Sequence, residues 1–170
     1  MSPRPETTTR RETQPASRAS MTTVLLYWIP AVAWMGMVLL ASTDTFSAAN
    51  TGEILRIVLT WIFGPVDTST FNLVHFLVRK SAHFTEYGIL SALWFRALRV
   101  HLTSLWRIRW ALVGIVVSLS VAILDEWHQS FVPSRGSSVH DVLLDLTAAI
   151  FAQFLIWYVL RHRKLTAVRT

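Results

Sequence analysis

Residues 110–160 read WALVGIVVSLSVAILDEWHQSFVPSRGSSVHDVLLDLTAAIFAQFLIWYVL, and this stretch decides the fold. Its two apolar runs, 110–124 and 142–160, read as membrane helices, for which about 20 predominantly apolar residues are needed. Between them, residues 125–145 hold Asp125, Glu126, His128, Gln129, Arg135, Asp141 and Asp145. Ionisable groups placed between two spans are functional candidates, because lipid makes an unpaired charge expensive.

The rest of the chain agrees with a membrane protein. Of its 170 residues 52% are hydrophobic and 15% charged, against about a quarter charged in soluble domains. The length suits one domain of about four helices and leaves no room for a second, soluble one. With no cysteine, disulfides, thiolate nucleophiles and Cys-ligated metals are excluded. The net charge of +6 does not indicate nucleic acid, which would need basic residues gathered on a soluble face with aromatics to stack on bases. Here they stand at membrane boundaries.

Outward from the deciding stretch, residues 1–20 hold three prolines, four arginines and no apolar period, and are expected to be a disordered basic tail. The run 24–41 exceeds the 7–15 residues typical of a signal-peptide core and lacks a small-residue cleavage site, so an uncleaved first helix is expected. Pro30 lies inside it and is tolerable where a neighbouring helix satisfies the freed carbonyl. Residues 54–63 are apolar but too short to span, and Gly64-Pro65 ends them, which predicts an interfacial or re-entrant helix. From 71 to 98 one long helix can carry Arg79, Lys80, His83 and Glu86. At about 1.5 Å per residue, His83 and Glu86 then lie roughly 6–10 Å inside one face, where they must turn toward protein. The fold class expected is all-α, an integral membrane bundle of about four transmembrane helices with one additional short helix. Its domain would occupy residues 21–164, followed by a cytoplasmic tail at 165–170.

Twelve of the sixteen basic residues fall in the tail, between the second and third spans, and after the fourth. By the positive-inside rule both termini are then cytoplasmic, in a multi-pass protein of the cell membrane. Eight of the ten acidic residues fall on the opposite face, which therefore carries the unusual chemistry.

Helical spacing places Lys80, His83 and Tyr87 on one stripe with Glu86 beside His83, and puts Asp125 on the same face as His128 or Gln129. Residues 138–141 (SVHD) read as a capping box opening the fourth span, and Asp145 follows Asp141 by one turn. The backbone donors there, with Arg135 and Lys80, suggest an anion cradle. The catalytic candidates are His128 with Asp125 and His83 with Glu86, either pair of which would move a proton, and Glu126 and Asp141, which would orient these groups. The substrate-binding candidates are Lys80, Tyr87, Gln129 and Arg135. No HExxH-like spacing marks a metal site and no GxSxG elbow marks a nucleophilic serine, so no metal and no cofactor is assigned.

Two runs, Arg79-Lys80-x-x-His83-Phe84-x-Glu86-Tyr87 and Asp125-Glu126-x-His128-Gln129-x-Phe131-Val132-Pro133-x-Arg135, followed by Asp141 and the small residues Ala148 and Ala149, resemble the VanZ-like family, membrane proteins named after a teicoplanin (glycopeptide) resistance factor. The likeness covers most of the chain. It departs at Asp145, where Asn is more usual, and at Ala148-Ala149, where Gly is expected, so no role is carried to position 145. The resemblance implies a compact multi-helix membrane domain and a link to cell-envelope antibiotic tolerance. Two functions remain open from the sequence. One is a hydrolase, transferase or specific binder acting on an anionic, lipid-linked substrate at the outer surface; the other is a non-catalytic membrane protein whose polar cluster is structural and which acts through partners or membrane organisation. Partners other than the lipid bilayer, and the oligomeric state, are not legible.

Overall fold

A computed structural model describes residues 20–43, 48–100, 106–132 and 137–167. Five helices follow in order: α1 (Met21–Ala41), α2 (Ala48–Phe63), α3 (Thr68–Leu98), α4 (Ile108–Gln129) and α5 (Val139–Ala167). Among the described residues there is no strand. Among the described residues three helices are long and apolar enough to cross a membrane, Met21–Ala41, Ile108–Gln129 and Val139–His162; α2 and α3, which meet at a 118° bend, pass the same test only as a pair and bring the number to four when that pair is counted as one broken span. The expected bundle of about four spans with one short extra helix is therefore the architecture observed. The expected basic tail lies outside the described residues apart from Ser20, which caps α1 by accepting from the Thr23 amide. Helix α5 runs on through Ala167, past the expected boundary at 164.

Helix α3 is the hub. It packs along α5, α4 and α1, while α4 and α5 also pack on each other. The interior is built mainly of small side chains, Ala97, Ala111, Ala122, Ala148 and Ala149, around Tyr87, Leu90 and Phe95. Long apolar side chains such as Leu26, Leu112, Ile123 and Phe154 are exposed. This arrangement suits lipid, which gives apolar side chains no reason to leave the surface; close backbone packing and interhelical hydrogen bonds hold such helices together. At Gly88 a Cβ would lie 3.6 Å from the Ala148 carbonyl oxygen, so α3 and α5 touch nearly backbone to backbone at the position where the sequence had alanine in place of an expected glycine.

Pro30 cannot donate to the carbonyl of Leu26, and Arg96 Nη1 on α3 donates to that oxygen at 3.3 Å. The same guanidinium lies 4.5 Å from the centre of the Tyr27 ring. Helix α1 is thus tied to α3 at the basic end of the bundle by the defect its proline creates, and near the other end by Trp34 Nε1, which donates to the Glu86 carbonyl at 3.0 Å. The elbow between α2 and α3 uses Gly64 at φ +80°, a left-handed conformation that favours glycine. Asp67 then caps α3; hydrogen bonds from Ser69 and Thr70 hold its carboxyl well below the usual carboxylate range. Arg56 of α2 stacks 4.1 Å over Phe71 of α3, and Gly52 faces His75, whose ring a Cβ would meet at 3.5 Å, an ordinary contact.

Candidate functional site

The antiparallel order of the helices brings three helix ends against the middle of a fourth helix: the last turn of α1, residues 125–129 of α4 and the first turns of α5 meet residues 79–87 of α3. The polar side chains gathered there separate into two groups. One lines a half-open cavity of about 220 Å³ whose wall includes Ser42 of α1, Arg79, His83 and Glu86 of α3, and Asp125 and Gln129 of α4. Val38, Leu55 and Val78 supply an apolar side, Leu55 coming from α2. The other group fastens α5 to α3 and α4.

In the cavity group, His83 presents Nδ1 to Oδ1 of the fully buried Asp145 at 3.5 Å. That is an ion-pair distance, longer than a well-formed hydrogen bond. Its ring lies parallel to Tyr87 with centroids 6.3 Å apart. The Tyr87 hydroxyl donates to Asp125 Oδ2 at 3.2 Å, fixing that carboxylate while its Oδ1 has no partner among the described residues. Two carboxylates therefore stand against a histidine and a tyrosine that share one face of α3, as the spacing of 83 and 87 requires; only the tyrosine is hydrogen-bonded to its carboxylate. Arg79 lines the cavity and makes no ion pair among the described residues.

In the fastening group, Lys80 Nζ pairs with Asp141 Oδ1. The Ser138 amide donates to Glu126 Oε2 at 2.6 Å, and Ser138 Oγ accepts from the His140 amide at 3.2 Å. The capping box read in the sequence is thus closed across helices: Glu126 of α4 takes the amide that the residue at 141 would normally take, which leaves Asp141 for Lys80. The anion cradle expected at the start of α5 is consequently occupied by the protein's own carboxylates. Arg135, its other expected member, lies outside the described residues.

A model of the VanZ/LLP1 family matches residues 27–161. The chain belongs to that family. No curated relative and no solved structure matches it. The matched segment contains both polar runs of this VanZ/LLP1 chain and every residue that lines the cavity.

Of the catalytic candidates, His83, Glu86 and Asp125 share the cavity wall, whereas Glu126 and Asp141 face the α5 fastening. His128 stands apart. Its side chain is exposed and its Nδ1 meets Ser42 Oγ at 3.1 Å, so the expected pairing of His128 with Asp125 gives way to Tyr87 with Asp125. The reason is angular: Asp125 and Gln129, four residues apart, share the inward face of α4, and His128 falls about 100° away. Among the binding candidates Gln129 lines the cavity, Tyr87 supports it from behind through Asp125, and Lys80 does not line it. Arg79, read only as part of a motif, takes the place expected of Lys80. Among the described residues no three His, Asp or Glu side chains are grouped so as to hold a metal ion.

Two features escaped the sequence reading. Asp145, to which no role is carried because it departs from the family pattern, is buried 3.5 Å from His83 Nδ1. Deeper in the bundle, Gln153 Nε2 donates to both the backbone oxygen and Oγ of Ser91 at 2.9 Å, and Ser91 Oγ donates to the Ala149 carbonyl at 3.2 Å. A lone Gln inside an apolar span signals such a contact, since polar side chains there bond across helices.

Proposed function

We propose that this VanZ/LLP1 protein binds the anionic head group of a membrane amphiphile, a lipid-linked phosphate or another cell-envelope precursor, in the cavity between α1, α2, α3 and α4. The observation that carries the reading is Arg79: a guanidinium on the wall of a cavity that apolar residues also line, unpaired among the described residues while the neighbouring Lys80 is neutralised by Asp141. A guanidinium makes bidentate, charge-assisted hydrogen bonds to phosphate. The apolar side formed by Val38, Leu55 and Val78 accommodates the first part of a chain. His83, with Asp145 on its Nδ1 side, keeps Nε2 for a proton on the ligand, the arrangement general acid–base chemistry requires. Charge distribution along the sequence favours an extracytoplasmic site with both termini cytoplasmic. The glycopeptide tolerance implied by the family likeness would act through this same site.

The structural reading retains one part of the cluster. Lys80 pairs with Asp141 and the Ser138 amide with Glu126 Oε2, which accounts for the charge of Lys80 and the first amide of α5 without a ligand. The two parts separate experimentally. In the full-length protein reconstituted in nanodiscs, Arg79→Gln is expected to weaken retention of phosphatidic acid, read by native mass spectrometry, about tenfold or more, the scale of a charge-assisted hydrogen bond, with thermal unfolding unchanged. His83→Ala is expected to leave binding within a few-fold and abolish any turnover. If Arg79→Gln melts early and binds as the parent does, the cavity group is structural as well.

A further inference from the structure

The floor of the cavity is unlike its rim. Gln129 is wholly buried, and neither its amide nitrogen nor its amide oxygen has a partner among the described residues. Asp125 is 3% exposed, with Oδ2 held by Tyr87 and Oδ1 unpartnered. Both side chains line the cavity. Buried polar groups are nearly always hydrogen-bonded, and leaving one unpaired costs about as much as a lost bond. Asp125 Oδ1 in its ionised form accepts only, and Gln129 both donates and accepts. Inorganic phosphate ionised at neutral pH offers chiefly acceptors, so it answers Arg79 and the Gln129 amide nitrogen but leaves Asp125 Oδ1 and Gln129 Oε1 without donors. Hydroxyl groups answer all three atoms, because each O–H both donates and accepts.

Building on the anion-binding reading, we infer that the ligand carries a polyhydroxylated group next to its phosphate, a sugar or cyclitol phosphate, with the phosphate at Arg79 and the hydroxyls on Asp125 and Gln129. The size agrees. A cavity of about 220 Å³ falls below the roughly 300–1,000 Å³ of pockets that enclose whole drug-sized ligands, so it takes one ring and leaves the rest of the molecule outside. Discrimination of this kind is strong because a site built to hydrogen-bond a hydroxyl rejects the analogue that lacks it.

The test compares two anionic lipids that differ in hydroxyl content, phosphatidylinositol and phosphatidic acid, each titrated against the full-length protein in detergent micelles and read by native mass spectrometry. The expected result is a preference for phosphatidylinositol of about tenfold or more, one to two buried hydrogen bonds to a charged or amide group. Gln129→Leu should reduce the preference to within about twofold. Asp125→Asn, which keeps the side-chain shape and an oxygen for Tyr87, should weaken the preference several-fold, and covers the outcome in which Gln129→Leu does not fold. Soluble inositol 1-phosphate forms a third arm: displacement of the lipid at equal concentration assigns the site to a free sugar phosphate, and failure to displace it assigns the site to a lipid-borne one, either of which supports the head-group chemistry. Equal binding of the two lipids, with Arg79→Gln weakening both, would overturn the hydroxyl inference and leave the anion site standing. No Arg79-dependent binding of either lipid overturns both.

Discussion

Lys80→Met is expected to cost the folded bundle about 3 kcal/mol, because removing one partner of a buried ion pair leaves the other charged and unpaired, at about 3–5 kcal/mol. The lower end applies since the Lys80 side chain is 25% exposed while that of Asp141 is 4% exposed. The methionine keeps the apolar stem of the lysine, so the loss reports charge and not packing. The expected partner result is rescue: Lys80→Met with Asp141→Leu should return to within about 1 kcal/mol of the parent, as buried pairs replaced by apolar residues commonly do. Thermal unfolding of the detergent-solubilised protein, followed by circular dichroism, reads both. A single variant as stable as the parent would mean that α5 is not held at this point. A double variant that still binds phosphatidic acid through Arg79 would separate the fastening group from the cavity.

Gly114→Val is expected to be at least as damaging. A Cβ at 114 would stand 2.9 Å from the Ser91 backbone oxygen and 3.1 Å from Gln153 Nε2, the two atoms that hydrogen-bond to each other between α3 and α5. Overpacking costs about 1–3 kcal/mol, and pushing Gln153 away adds the penalty of a buried amide without partners, about 1–3 kcal/mol more. A loss of about 3–4 kcal/mol, in the middle of the combined range, is therefore expected, and Gly114→Ala should fall between it and the parent. Gly36 is the control. Nothing lies within 4 Å of a Cβ built there, so Gly36→Ala should be neutral or gain up to about 1 kcal/mol from helix propensity alone. Equal effects at 36 and 114 would show that glycine matters here for the chain's flexibility and not for contact between helices.

How much of this was legible in the sequence follows from the range of each interaction. Helices α1, α4 and α5 were readable because an apolar run of span length is a local property, and the elbow at 64–67 because Gly-Pro followed by Asp is local turn chemistry. The stripe of His83 and Tyr87 was readable from helical spacing. Partners across helices were not. Spacing suggested Glu86 for His83 and His128 for Asp125, three residues away in each case, yet the structure gives Asp145 and Tyr87. Those pairings depend on how far α5 and α4 are slid along α3, and that register is set by Gly88 against Ala148 and by Gly114 against Ser91, contacts too close to be foreseen from one residue at a time. The family pattern misdirected the reading at position 145, where it argued for setting aside the carboxylate that stands beside His83.

The load of polar residues on α3 bears on how the protein is made. Helix α3 does not qualify as a span by itself and does so only together with α2. The carboxylate that takes the Tyr87 hydroxyl lies 38 residues further along the chain, and the one that neutralises Lys80 lies 61 residues further along. While the ribosome is still adding those residues, the nascent α3 has Lys80 and His83 without the groups that compensate them, at a cost that lipid makes high. A chain truncated after α3 is therefore expected to hold that helix in the bilayer less stably than the full chain does, which alkali extraction of membranes carrying the two forms would read.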